Sequence, residues 1–496
     1  MLSLLIFAPA AVAAVLLLAR VPDRAALWAW LVTGLVTVGL SVGMWAAYLH
    51  GHRPGRFGFV QRVPWMPGVG SSYHVGVDGL SLPLLALTAV VFTATAVYSL
   101  RERQRPRSYA ALFLALQTTS LGVFSALDLI VFFVFFDLSI VGMYFVIAGW
   151  GHGPARRRSA LLFFLYTFTG SLALLLGFIG LYVASDPHTF DIAELAAHPP
   201  LTGTGPAGPL VLAAIALGLA IKTPTVPFHS WLPPAHTDAP AAGSAVLAGI
   251  LLKMGTFGFV RIAMPLLPDQ WRTYAWVFVG VGVASVLYGA LVALAQDNFK
   301  RLIAFTSVNH MGYILLGLGA AGLAGDAHAR SVAVTGAMVQ MVSHGLITAA
   351  LFLLAGVLLD RGGSYDLTRY GALAGPAPRF AALTTVAAFA SLGLPGFSGF
   401  IAEFQILAGS LGPATPAAAV AALGIVLTAG LFLWAIHRLF LGTPRTGQVA
   451  FADLSARELW AIGPLLALSV LIGVFPQSLL GVVTPAADHL IALVGR

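Results

Sequence analysis

The chain has 496 residues, 59% of them hydrophobic and 9% charged, with a formal charge of +8 at pH 7 and a mean hydropathy of +0.91. Soluble domains carry about 25% charged residues, so this composition excludes a soluble enzyme; the cationic excess falls between apolar runs and gives no reason to expect a nucleic-acid partner. With no cysteine, the chain can form no disulfide and can hold neither cysteine-ligated zinc nor an iron–sulfur cluster on its own thiolates.

A helix needs about 20 apolar residues to cross roughly 30 Å of hydrocarbon. Taken in chain order, runs of that kind lie at 2–20, 27–48, 78–100, 108–126, 127–149, 159–184, 209–232, 240–265, 272–296, 300–320, 334–358, 380–410, 416–440 and 458–480. The expected fold is therefore an all-α polytopic membrane protein of about 14 spans, numbered here in that order. The first run, MLSLLIFAPAAVAAVLLLAR, contains an AVA that mimics a leader cleavage site, but no basic residue precedes its apolar stretch. It reads as a retained helix. Connections after odd-numbered spans hold 17 of the 26 Lys and Arg residues, with Arg101, Arg103, Arg105, Arg107 and Arg156, Arg157, Arg158 as the main topology anchors. By the positive-inside rule those connections are expected to be cytoplasmic, with both termini on the other side of a bacterial plasma membrane.

Ionisable residues also occur where a bilayer should forbid them. Asp137 lies inside span 5, Lys222 in span 7, Lys253 in span 8, His310 in span 10, His344 in span 11 and Glu403 in span 12. Ten to thirteen residues at 1.5 Å each place such groups about 15–20 Å deep. One charge there costs about 2.5–3.5 kcal/mol on insertion scales, and a set of six at one depth reads as a row crossing the protein rather than as scattered ion pairs. Lysine is not a filler here, because only Lys222, Lys253 and Lys300 occur in the whole chain.

Two host spans are interrupted beside these groups. Pro224 and Pro227 follow Lys222, and Pro395 lies in GLPGFSG before Glu403. Proline lacks a backbone donor, so spans 7 and 12 are expected to break at mid-membrane, where irregular backbone is tolerated only against protein or a wet cavity. Breaks at matching places in two halves point to inverted repeats. The expected organisation is 1–100 for spans 1–3, 101–265 and 266–440 for two five-helix repeats, and 441–496 for span 14. At about 4 Å and an effective dielectric near 20, a carboxylate stabilises an ammonium by about 4 kcal/mol. Moving or neutralising Asp137 would release the Lys222 proton toward Lys253, then through His310 and His344 to Glu403. Gln340 and His344, four apart, share a helix face, either within that path or as interhelical glue.

Other signals carry less. GLGAAG at 317–322 fits GxGxxG but follows a membrane span instead of a strand. His229 and His236 straddle a proline-rich turn with no third ligand near, so no metal site is expected.

KTPTVPFHSWLPPAHTDAPAAGSAVLAGILLKMGTFGFVR (222–261), DNFKRLIAFTSVNHMGY (297–313) and GLPGFSGFIAEF (393–404) together resemble the antiporter-like membrane subunits of respiratory complex I. YHVGVDGLSLPLL (73–85), MYFVIAGWGH (143–152), the acid at Glu403 and the span count are most similar to the M type. The resemblance implies proton translocation coupled to electron transfer from NADH to quinone, with Asp137 paired to Lys222 and the path completed by Lys253, His310, His344 and Glu403. It also implies supporting positions at His229 and Asp297, partners among the L-type and N-type subunits, and no cofactor in this chain, with NADH, flavin, iron–sulfur clusters and quinone in partner subunits. A multisubunit cation/proton antiporter or a membrane hydrogenase-type complex is the alternative. Asp137 departs from the glutamate usual in the family, and its side chain is one methylene shorter.

Overall fold

The computed structural model describes residues 1–51, 57–203 and 205–495. Each of the expected apolar runs falls on helix, and among the described residues eleven helices are long and apolar enough to cross a membrane. Spans 8, 10 and 11 (Ala241–Leu266, Phe299–Ala320 and Ala327–Gly362) form the centre: their apolar windows are 100%, 100% and 94% buried, against 33% for Thr415–Phe440 at the rim. A helix enclosed on every side can carry polar groups without showing them to lipid. These three helices hold Lys253, His310 and His344.

Both expected breaks are present. Span 7 runs as Ala207–Lys222, stops, and resumes at Leu232–Asp238; span 12 runs as Pro378–Ser391, stops, and resumes at Ser398–Ser410. Backbone groups released by the prolines find substitutes: Trp231 Nε1 donates to the Ile221 carbonyl at 3.0 Å, and Ser285 Oγ accepts from Val226 N at 3.0 Å. Span 8 contains two π-helical turns, Leu247–Leu251 and Phe259–Ala263, on either side of Lys253.

The polar connection between spans 2 and 3 folds into an antiparallel hairpin, β1 (Gly58–Met66) with β2 (Ser71–Val77), in which Gln61 faces Val75 and Val63 faces Tyr73. It marks one face of the molecule. The opposite face carries the starts of spans 4 and 6 with their arginines.

Span 14 ends earlier than the apolar pattern suggests. Helix Ala456–Val474 stops before Pro476, and a further helix, Gln477–Val494, follows. This last helix does not cross to the arginine face. Its Val482 carbonyl meets Gly79, Asp488 accepts from Ser331 at the start of span 11, and Leu490 shares a pocket with Pro265 at the end of span 8. All three partners lie at hairpin-face ends, so the helix runs laterally along that face. Beneath it, Asp78 pairs with Arg261 at 2.6 Å. Burial alone would push the Asp78 carboxyl up, but the Arg261 guanidinium and the backbone N–H groups of Ser81 and Leu80 hold it below its ordinary value.

Gly79 is required by this crossing, because a Cβ there would sit 2.1 Å from the Val482 carbonyl oxygen. Gly79→Ala is expected to lift the lateral helix and cost about 1–3 kcal/mol, as overpacking does. Thermal unfolding of the detergent-purified chain measures it; an unchanged midpoint would mean that the helix gives way freely.

Candidate functional site

The six mid-membrane groups form two clusters. The first surrounds Lys222, which closes the first half of span 7 and is 1% exposed. Its ammonium donates to Ser139 Oγ at 3.2 Å and lies 4.8 Å from the centre of the Phe136 ring. Asp137 of span 5 is half-buried, within electrostatic reach of Lys222 and beside the Ser171 hydroxyl. Among the described residues no Asp137–Lys222 ion pair closes within 4.0 Å, and Asp137 Oδ1 is buried without a hydrogen-bond partner. The shorter acid leaves the lysine on the serine two residues further along span 5.

A second cluster is continuous. Lys253 Nζ donates to the Ala248 carbonyl, five residues back across the π-helical turn, and lies 2.6 Å from His344 Nδ1. A wide turn breaks the regular ladder, which makes a carbonyl available to a side chain. The His344 and His310 rings stand edge to face, 5.3 Å apart, with His344 next to Lys253 and His310 next to Glu403, the reverse of the order expected from sequence. His310 Nε2 is 3.1 Å from the Ser391 carbonyl at the span 12 break and 3.5 Å from Glu403 Oε1. Gln340 supplies a side-chain hydrogen bond to Glu403. Gly393, in the left-handed region at φ +76, leaves the space that Glu403 Oε2 occupies; a Cβ there would come within 2.7 Å of it.

Hydrogen-bond chemistry orients this chain. A carbonyl oxygen only accepts, so the Nε2 of His310 that meets Ser391 carries a proton, and a neutral ring then accepts at Nδ1. A charged Lys253 only donates, so His344 accepts at Nδ1 and carries its proton on Nε2. These two remaining ring atoms, His344 Nε2 and His310 Nδ1, are buried and without a partner. One can give and the other can receive. Both rings line a cavity with Gln340, Ser343 and Glu403 that leaves about 10 Å³ for the centre of a water molecule, room for one.

Between the clusters, Gly255 of span 8 packs directly on Thr223, whose Oγ1 is buried without a partner. His229 lies outside both, edge-on to Tyr288 at 4.8 Å. Asp297 lies elsewhere too: it is exposed at the arginine face and pairs with Arg438 at 2.6 Å. Pro224, Pro227 and Pro395 occupy the two breaks, as expected from sequence.

Sequence reading left out a third group. Lys300 is fully buried, donates to the Ala239 carbonyl at 2.5 Å and lies 5.2 Å from the Tyr365 ring centre. His236 is fully buried and stacked on Phe352 at 4.4 Å; neither ring nitrogen has a partner, and it lies in the field of both Lys300 and Lys253. Above them opens a polar vestibule of about 310 Å³ on the arginine face, lined by His152, Asp360, Tyr365 and Arg457 among others. The rarity of lysine was the available signal for Lys300; its place at a span end disguised it as an anchor. A serine chain was equally invisible: Ser343, Ser398 and Ser469 link spans 11, 12 and 14 at 2.7 and 2.8 Å. Among the described residues no group of three or more His, Asp or Glu side chains is placed to hold a metal ion.

Residues 126–428 match the family described as NADH:quinone oxidoreductase/Mrp antiporter, transmembrane. The chain is 36% identical to NADH-quinone oxidoreductase subunit M of Rhodobacter capsulatus over 99% of its own length and 96% of the relative's. With the protein of the same name from Mycobacterium tuberculosis (strain CDC 1551 / Oshkosh), identity is 34% over 97% and 92% of the two chains. Among solved structures, a chain of respiratory complex I from Thermus thermophilus with bound NADH superposes with a TM-score of 0.89 at 32% identity, covering 100% of both. A chain of the Mrp complex from Dietzia sp. shares the fold, with a TM-score of 0.87 at 24% identity over 99% of this chain and 98% of that one. A match through the broken-helix core, together with relatives aligned almost end to end, shows that the chain belongs to the NADH:quinone oxidoreductase/Mrp antiporter family of membrane proteins.

Proposed function

We propose that this chain is a proton-translocating membrane subunit of a respiratory NADH–quinone oxidoreductase, moving protons while partner subunits carry out the redox chemistry. The observation that carries this reading is the contact chain Lys253–His344–His310–Glu403, in which all four side chains are buried and the first three stand on helices enclosed by protein. A proton leaving Lys253 for His344 Nδ1 releases one from His344 Nε2, which a single water relays to His310 Nδ1; His310 Nε2 then gives its proton to Glu403. Each imidazole takes a proton on one nitrogen and releases it from the other, so both rings must reset before the next transfer.

Loading proceeds from the arginine face, which we assign to the cytoplasm, with both termini on the opposite side. The vestibule, Lys300 and the unpartnered nitrogens of His236 support that direction. NADH, flavin, iron–sulfur clusters and quinone belong to the partners in this reading, since a chain without cysteine offers no thiolate for a cluster.

The ends of the row support neighbours on both flanks. Asp137 is followed by Leu138 and Val141, 50% and 40% exposed, and Glu403 by Phe404, 60% exposed. A half-buried Asp137 and a Glu403 set beside exposed apolar side chains are costly against lipid and are best covered by other antiporter-like subunits, of the L and N types.

The test is NADH-driven acidification of inverted vesicles containing the assembled complex. If the purified complex lacks flavin and iron–sulfur centres and moves protons only in exchange for a cation, the antiporter reading replaces this one. In the same assay, Asp137→Asn is expected to lower the ratio of protons moved to NADH oxidised several-fold, because it removes the carboxylate that, among the described residues, acts on Lys222. Unchanged stoichiometry would count against the pair.

A further inference from the structure

Where spans 1, 4 and 5 approach the arginine face they leave an open groove of about 500 Å³. Its deeper wall is apolar and built from small side chains: Ala111 and Ala115 of span 4, Ala148 and Gly149 of span 5, with Phe145 and Leu17 half to two-thirds exposed at its edges. From Ser108 to Ala115 along span 4 the wall descends about 10 Å, seven residues at 1.5 Å each. That seats the upper part of an acyl chain.

The rim has a different chemistry. Arg105 lies flat on Trp150, its guanidinium carbon 4.5 Å from the ring centre, and its Nη2 donates to the Gly149 carbonyl at 2.8 Å. Trp150 is itself fixed by donating Nε1 to the Gln104 carbonyl at 2.5 Å. Arg157 lines the same groove, and neither arginine has an acidic partner among the described residues. The nearby acid, Glu102, is turned away and accepts from the backbone N–H groups of Arg103 and Gln104. So the rim presents two uncompensated cations, one of them held rigid, directly over an apolar slot. Paired arginines with an aromatic at the interface suit a phosphate whose tails lie in the hydrocarbon.

We propose that this groove binds one anionic phospholipid, with its phosphate between Arg105 and Arg157 and an acyl chain along Ala111, Ala115 and Phe145. Charge complementarity selects an anionic lipid over a zwitterionic one, and the apolar slot selects a lipid over a free anion. The site is independent of the proton path.

The test uses the full-length protein in phosphatidylcholine nanodiscs doped with phosphatidylglycerol, with retained lipid counted by native mass spectrometry. One phosphatidylglycerol is expected to be retained in preference to phosphatidylcholine. Arg157→Gln, which removes an exposed side chain, should weaken retention about five-fold, in line with about 1 kcal/mol per basic residue near an anionic surface. Ala115→Phe leaves both cations in place and fills the slot, so it should weaken retention comparably; normal circular dichroism of each variant guards against misfolding. Equal retention of both lipids, or undiminished phosphatidylglycerol in both folded variants, overturns the proposal. Displacement by millimolar inorganic phosphate also overturns it, since that would reveal a bare anion site.

Discussion

Lys253→Met is expected to abolish proton translocation by the assembled complex while leaving NADH oxidation with an artificial acceptor intact. Lys253 is the end of the buried contact chain and the residue that touches His344 directly. Proton transfer by a positioned acid–base group contributes about 10²–10⁴-fold, so pumping should fall by at least about tenfold. Assembly should survive. Replacing a buried cation with an apolar side chain of similar volume is often near neutral or stabilising, although the Ala248 carbonyl and His344 Nδ1 each lose a donor. Lys253→Arg is the sharper variant. Its guanidinium keeps the positive charge but does not give up a proton in a protein. If charge alone mattered, the arginine variant would pump. If proton exchange matters, it should fail like methionine. Normal acidification of inverted vesicles by both variants would sink the relay.

The second large effect is expected from Lys222→Met, which should stop proton movement through the first half while the protein remains assembled. Lys222 is enclosed by Phe136 and Ser139 and ends the first segment of a broken helix. Methionine fills nearly the same volume and leaves one hydroxyl without its donor, about 0.5–1.5 kcal/mol of net hydrogen-bond loss at most sites. Ser139→Ala separates positioning from chemistry. It removes the 3.2 Å contact but keeps the ammonium, and should reduce pumping only partly. Full pumping by Lys222→Met refutes its role; a loss in Ser139→Ala equal to that in Lys222→Met would move the emphasis from the amine to the hydroxyl.

Much of this architecture was legible in the residues. Spans are set by length and apolarity, and the breaks by proline, because both are local properties of the chain. The mid-membrane charges stood out because a bilayer penalises them. What was not legible depended on contacts between distant segments. Apolar sequence resumes beyond Pro476, and only the one-sided apolar face of Gln477–Val494 separates that lateral helix from a crossing. Hairpin strands β1 and β2 lie in the longest polar connection, and the pairing that defines them is a property of two strands together. His236 looked like half of a poor metal site, and only the fold puts it in the field of Lys300 and Lys253. Asp297 shows the opposite failure: it sits in a recognisable block, yet its carboxylate is spent on Arg438 at the surface.

The three lysines have a further consequence. Lys222, Lys253 and Lys300 are all but completely enclosed, and no carboxylate closes an ion pair with any of them among the described residues. Their interior thus behaves as a small capacitor with one polarity, in which each added proton raises the work of adding the next. Lys253 is the thirteenth of the 26 residues of its helix, halfway between the faces. A proton loaded there crosses about half of the membrane field, about 1 kcal/mol per 100 mV. Occupancy of the row is therefore tied to the membrane voltage that the complex itself builds, and back-pressure reaches this chain directly, without any signal from the redox arm.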